Sequence, residues 1–502
     1  MKADLKIIHI CLVTFVGLFA SGCSSHHDSG SSPTKEEDAG MSGDAGMRTM
    51  SDAAVDDTLT VSGPVSGGTG KPFTASAADL AGAGYSEKEF FFEGEATAYA
   101  LQGSMTTDGK WNLMAATRAP FNSRMLVRRP IDASKFNGAV VVEWLNVSGG
   151  ADGDPGFMYN SEEILRGGYA YVGVSAQAVG IEGGGFSLGG AGQPLKQADP
   201  ERYGTLKHPG DGYSFDIFSL AAKVIRGAGD VSVLDGLTPQ RLIAYGESQS
   251  AARLVSYVNG VHLLAQQYDG FFIHSRGSGG APFGSEGGFA GLGGSATFIR
   301  DDITAKVFQF QTETDVTGMG FLSARQPDTD KLRSWEVAGT AHADQYIVDF
   351  NKSLASDSIV MCEGANNGPQ QFVIRAALHS LDAWMRDGTA PPRGDVLTTG
   401  ANGALMVDDH GNARGGVRSP DVDVPIATLS GEPAGTGGDV WCFLFGSTTP
   451  FAPEKLSMLY PTHDDYVTKV KESASKLLDA GFLLDPEAKV MVAEADAAPV
   501  PK

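Results

Sequence analysis

Basic residues are scarce in this 502-residue sequence: 38 Lys and Arg stand against 60 Asp and Glu, giving a net charge of −22. No long basic run offsets the deficit, which argues against a nucleic-acid partner. Cysteine occurs only four times, and Cys362 and Cys442 lack the spacing of a zinc site. The apolar run at residues 7–20 is too short to span a bilayer as a mature helix. The glycines follow no G-x-y period, which excludes collagen. There is no internal repeat and no second linker of domain-boundary length past residue 60. What is abundant is glycine itself, 66 residues, about twice ordinary usage. An apolar content of 42% and an aromatic content of 9% exclude global disorder. The length allows one large domain or two.

Lys2 and Lys6 precede the apolar run, which ends Ala20-Ser21-Gly22-Cys23. This predicts a signal peptide over 1–22 that resembles a bacterial lipobox, with Ala20 where Leu is commoner and Cys23 as the lipid anchor. The alternative is an ordinary signal in which Cys23 is incidental. Residues 23–59 read as a flexible tether. The tract 24–57 carries eight acids and two bases and almost no large apolar side chains, too little to offset its ordering entropy. These features predict an exported protein, lipid-anchored to the bacterial envelope at the outer membrane and facing the periplasm or the surface. Membrane contact is expected only through the anchor. In such an oxidising compartment Cys362 and Cys442 are expected to form one disulfide, the alternative being two buried thiols.

From residue 60 to 502 the chain reads as one unit. Strand-like runs fall at 89–99, 124–129, 138–147, 169–175, 241–245, 270–274, 306–311 and 334–337. Several are apolar without alternation, as in strands buried on both faces. Helix-like segments lie at 161–166, from Ser214 as a plausible N-cap, at 251–258, 370–386 and 464–480. Strands alternating with helices predict an α/β fold with a mainly parallel sheet flanked by helices.

The segment with chemical content is Gly246-Glu247-Ser248-Gln249-Ser250, directly between a buried strand and a helix. This is the context of a nucleophile elbow. The sharp turn needs small residues two positions either side of the Ser. Gly246 supplies one; Ser250 departs from the usual Gly but is small. The turn lifts Ser248 above the sheet edge and aims the Gln249 backbone N–H at a developing oxyanion. A hydroxyl needs a base to take its proton, and the expected chain order is Ser, acid, His. Of the histidines past the tether, His342, His379, His410 and His463 follow two further strands. His342 follows a strand in a small-residue loop and is the expected base. His379 shares a helical face with Phe372, Ala376 and Ala383 and reads as a core residue. His410 and His463 read as surface residues. The acid is expected to be Asp315, with Glu313 as the alternative; in an extended loop the two point opposite ways, so only one fits. A second oxyanion donor is expected near Asn146 or Val147, or from the Asn146 amide.

These stretches, with Val140 to Ser148, Tyr171 to Gln177, Tyr203 to Asp211, Trp335 to Asp344 and Cys442 to Phe451, resemble the bacterial alpha/beta hydrolase domain family of serine-esterase-like proteins. The resemblance covers roughly residues 60 to 495. It implies the α/β-hydrolase fold and a Ser-acid-His site without metal or cofactor; the early strand-like runs and the glycine-rich segments add extra N-terminal strands and loop-rich insertions to that expectation. The expected activity is hydrolysis of a small-molecule carboxylic ester or lactone through an acyl-enzyme. Acyl transfer or amide hydrolysis with the same residues, or an inactive surface binding protein, are the alternatives. Seven glycines fall in 180–192 and nine in 277–294. The second run lies where such folds commonly insert a lid and is read as a loop-built rim, or as a structural loop remote from the site. Neither run resembles a phosphate cradle.

Overall fold

The apolar runs become strands: β1 (Thr60–Ser62), β2 (Tyr85–Gln102), β3 (Asn112–Pro130), β4 (Ala139–Trp144), β5 (Ala170–Val174), β6 (Arg241–Glu247), β7 (Gly270–His274), β8 (Lys306–Gln311) and β9 (Leu332–Glu336). The computed structural model describes residues 58–184, 192–284, 295–352, 362, 364–433 and 440–500. The signal, Cys23 and nearly all of the tether lie outside the described residues. All nine strands form one sheet in the order β1-β2-β3-β5-β4-β6-β7-β8-β9. The pairs β1/β2, β2/β3 and β3/β5 are antiparallel. From β5 across β4 to β9 every pair is parallel. This is the α/β-hydrolase fold, with extra N-terminal strands added antiparallel at one side.

The central strands β4, β5, β6 and β7 are buried at every residue, yet their side chains still alternate between two cores. Val140, Val142, Trp144, Val172, Leu242, Ala244, Phe271 and Ile273 face one. Ala139, Val141, Tyr171, Ile243, Tyr245 and Phe272 face the other. Helices Ser214–Ile225 and Gln249–Ser256 contribute to the first core through Phe215, Phe218, Leu254 and Val255. Helices Pro155–Gly167 and Gln370–Asp387 contribute to the second through Phe157, Ile164, Val373 and Leu378. Each such side chain contributes about 1.5–3 kcal/mol on full burial, so a strand with two apolar faces is stable only between two layers of helix.

Several boundaries differ from the sequence reading. β2 and β3 form a long hairpin, because the stretch before residue 124 pairs along its backbone although its side chains are largely exposed. Ser214 does not cap its helix: it is already helical, at φ −56° and ψ −38°, because the turn Asp211–Tyr213 runs straight into it. The helix expected at 161–166 begins at Pro155, a residue suited to a first turn. Glu143 accepts from the Gly156 and Phe157 N–H groups there, at 2.7 and 3.0 Å. The helix Asp485–Ala497 and a small antiparallel sheet, Ala427–Ser430 with Ser447–Pro450, add to the C-terminal part. His379 is exposed rather than in the core, its Nδ1 2.9 Å from Glu163. Its helical face borders the core but ends at solvent.

Two buried arginines on β3 tie down the loop between β4 and its helix. Arg124 pairs with Glu89 and with Asp152, the latter at 3.3 Å; Arg128 pairs with Asp154 and with Glu87, the latter at 2.7 Å. Arg202 reaches the same Glu89 at 2.6 Å. Truncating one member of a buried set strands the other charges. Arg124→Ala is therefore expected to lower stability by about 3–5 kcal/mol, read as a shift in a denaturant midpoint.

Cys362 and Cys442 form the disulfide expected from the sequence. It ties the segment after the His342 loop to the segment holding Leu444 and Phe445. The Leu444 and Phe445 carbonyls accept from Ala343 N–H and Asn366 N–H. Among the described residues no helix is long and apolar enough to cross a membrane.

Candidate active site

The sheet reverses its winding at β4: β5 lies on one side of it and β6 on the other. Crevices for ligands form outside the carboxyl ends of strands at such a point. Ser248 sits there, one residue past β6, at φ +58° and ψ −117°. That region is costly for a residue with a Cβ, and it is held only where the surroundings over-determine it. Here the strand fixes one side and the helix Gln249–Ser256 the other, with the Ser248 N–H donating to the His274 carbonyl at 3.0 Å. The turn is as tight as the motif demands. A Cβ on Gly246 would lie 2.7 Å from the Ser250 carbonyl oxygen, a backbone atom that cannot swing aside. Gly246→Ala is expected to cost about 1–3 kcal/mol, measured by thermal unfolding. Ser250 is fully buried in the turn, its hydroxyl 3.4 Å from the Leu145 carbonyl, so the departure from glycine is accommodated. Gln249 opens the helix, where a backbone N–H has no intrahelical carbonyl to meet.

His342 Nε2 lies 2.8 Å from Ser248 Oγ, and its Nδ1 lies 2.6 Å from Asp315 Oδ1. Asp315 is aimed by a capping box. Its Oδ2 accepts from the Thr312 N–H at 2.7 Å, while Thr312 Oγ1 accepts from the Asp315 N–H. The loop expected after β8 is thus a helical turn, Glu313–Thr317, rather than extended chain. Glu313 still points elsewhere. Its two oxygens accept from the N–H groups of Gly339 and Gly431, at 2.5 and 2.8 Å. Burial pushes the Glu313 carboxyl up to about 7, against the pull of those two N–H groups. The two carboxylates therefore divide the work: Asp315 meets the imidazole, and Glu313 pins the loop that carries it. Thr314 Oγ1 adds a hold by accepting from the His342 N–H at 3.2 Å.

Burial works against a charged His342, but the Asp315 charge and hydrogen bond, with the Glu247 charge, outweigh it and raise its pKa.

A family model described as alpha/beta hydrolase domain matches residues 61–493. The chain belongs to the alpha/beta hydrolase domain family. Among solved structures, an esterase captured with p-nitrophenol is 13% identical, with 61% of this chain and 82% of that one covered at a TM-score of 0.30. A glucuronoyl esterase from Solibacter usitatus is 11% identical, with 56% and 80% covered at 0.27. An α/β serine hydrolase without a lid from Xanthomonas campestris is 12% identical, with 48% and 83% covered at 0.26. With overlaps this partial, the family match alone places the chain. No curated protein sequence matches it.

In this alpha/beta hydrolase the β4 exit loop differs from the sequence reading at one site residue. Asn146 reaches the elbow, but its donors are spent inward. Its backbone N–H donates to the Gly153 carbonyl at 2.9 Å. Its side-chain amide donates to the Glu247 carbonyl at 3.0 Å and to Glu247 Oε2 at 2.9 Å. The physical reason is Glu247: a buried carboxylate beside the loop captures the nearest amide. Glu247 is the residue the sequence reading passed over. Its signal was an acid at the end of a strand otherwise buried on both faces. The Thr312-x-x-Asp315 capping-box spacing was a second unused signal, and it separates Asp315 from Glu313 without appeal to an extended loop.

Among the described residues no group of three or more His, Cys, Asp or Glu is arranged to hold a metal ion. Of the glycine-rich run 277–294, residues 285–294 lie outside the described residues, as do 185–191 of the run 180–192. The roots of the larger run are anchored. The Arg276 guanidinium donates to the carbonyls of Gly277, Ser278 and Thr297, drawing both of its ends to the edge of β7.

Proposed function

We propose that this alpha/beta hydrolase is a serine esterase acting on a small-molecule carboxylic ester or lactone, exported and tethered to the envelope through Cys23. The observation that carries the reading is the unbroken chain Ser248 Oγ–His342 Nε2, His342 Nδ1–Asp315 Oδ1, at 2.8 and 2.6 Å, on an elbow at positive φ. His342 takes the Ser248 proton as the oxygen attacks the carbonyl carbon. Asp315 holds the Nδ1–H tautomer and stabilises the imidazolium. The Gln249 N–H and a second backbone N–H in the β4 exit loop, at Val147, bind the tetrahedral oxyanion. The imidazolium then protonates the leaving alcohol as the carbon–oxygen bond breaks. A water molecule, deprotonated by His342, releases the acyl group and restores Ser248.

The test is chemical. A fluorophosphonate probe is expected to label the wild type and not Ser248→Ala, and an unlabelled wild type would sink the hydrolase reading. Product analysis across ester, lactone and amide substrates then separates ester cleavage from amide hydrolysis. Added alcohol acceptors would report acyl transfer.

A further inference from the structure

Glu247 has no part in the mechanism above, yet it stands against the atom that does the work. Its Oε1 lies 3.4 Å from His342 Nε2, the nitrogen that faces Ser248 Oγ, and its side chain is almost fully buried. Asp315 occupies the opposite edge of the ring at Nδ1. The imidazole is thus held between two carboxylates. Glu247 is itself fixed by the Asn146 amide on its second oxygen and by its place as the last residue of β6.

The other ionisable groups around the pair are identifiable. Tyr159, on the helix Pro155–Gly167, and Tyr245, on β6, feel the Glu247 charge, but burial pushes both hydroxyls far above neutrality. His274, at the end of β7, faces both His342 and Asp315, and burial pushes it down to about 3, so it stays neutral. Among the described residues that leaves Asp315 and Glu247 as the charges that act on the ring.

We propose that Glu247 is a positioning residue for His342, holding negative charge against Nε2 and so favouring the imidazolium formed when Ser248 gives up its proton. The inference rests on the reading of His342 as the base. When Nε2 gains its proton, the new N–H faces both the Ser248 oxygen and the Glu247 carboxylate. In a buried site that attraction is weakly screened. Burial foremost, and the Asp315 charge, push the Glu247 carboxyl up to about 7, against the pull of His342 and the Asn146 amide. Glu247→Gln keeps an acceptor for Asn146 and removes the charge. His342 then has Asp315 alone as its counter-charge, and its pKa falls.

The experiment is the rate of fluorophosphonate labelling against pH for wild type, Glu247→Gln and Glu247→Asp. The wild-type rate falls as pH drops and His342 gains its proton. Glu247→Gln is expected to move that midpoint down by about one pH unit and to lower the plateau rate roughly tenfold. Glu247→Asp, with the charge drawn back by one methylene, is expected to fall between the two. A Gln midpoint equal to that of the wild type overturns the proposal, even if the plateau rate drops, because loss of shape alone slows labelling without moving a titration. Should the Gln variant fail to fold, an Asp midpoint equal to wild type overturns it in the same way. A wild type that never labels overturns instead the hydrolase reading beneath it.

Discussion

Ser248→Ala is expected to lower ester hydrolysis by about four to six orders of magnitude and to leave the fold intact. In the proposed mechanism the hydroxyl oxygen is the atom that forms the acyl bond. The loss is chemical and not structural. Ser248 is held at φ +58° by the strand before it and the helix after it, and Ala carries the same Cβ and the same strain. Its thermal midpoint is expected to match or slightly exceed the wild type, since active-site strain is commonly exchanged for stability. His342→Ala is expected to cost a similar factor, because residues that act as a unit do not lose their contributions additively. The check is kcat/KM on an activated ester beside a thermal melt of each variant. Residual activity within tenfold of wild type for Ser248→Ala would place the nucleophile elsewhere.

Asp315→Asn and Glu313→Gln, only two positions apart, are expected to fail in different ways. Asp315→Asn places an amide where the carboxylate accepts the hydrogen bond from Nδ1–H, at an N···O distance of 2.6 Å. The tautomer with its proton on Nδ1 loses its partner, the imidazolium loses its counter-charge, and kcat is expected to fall about 10⁴-fold. Thr312 can still be capped by the remaining oxygen, so the melt is expected to move little. Glu313→Gln leaves the imidazole contact untouched. It replaces one of two oxygens that accept from Gly339 and Gly431 with a group that donates. One buried N–H is left unsatisfied, at about 1–3 kcal/mol. Its activity is expected to fall less than tenfold at a temperature where both variants are folded. Steady-state kinetics with thermal unfolding on the pair gives the answer. The opposite pattern, with activity lost in the Glu313 variant and kept in the Asp315 variant, would reassign the acid.

The sequence by itself determined the fold class, a mainly parallel sheet flanked by helices, and the strand-to-helix turn on which Ser248 sits. Apolar runs such as 139–142 and 242–245 leave no polar face to turn to water, so they fit only between two helical layers. A small-Ser-small turn between such a strand and a helix has few alternatives, because strand and helix together force the sharp bend. His342 and Asp315 stood out as candidates for a local reason, since each lies in the segment after a sheet strand, with Glu313 left open beside Asp315. What only the tertiary structure decided was how neighbouring strands share space at that edge. Asn146 was a plausible oxyanion donor until Glu247, from the adjacent strand, claimed its amide. Glu247 itself lies next to Ser248 in sequence but meets His342 across 94 intervening positions of chain. Local patterns set a residue's strand and its face. Which donors are spent, and which charges meet, depends on segments far apart in the chain and brought together by the core.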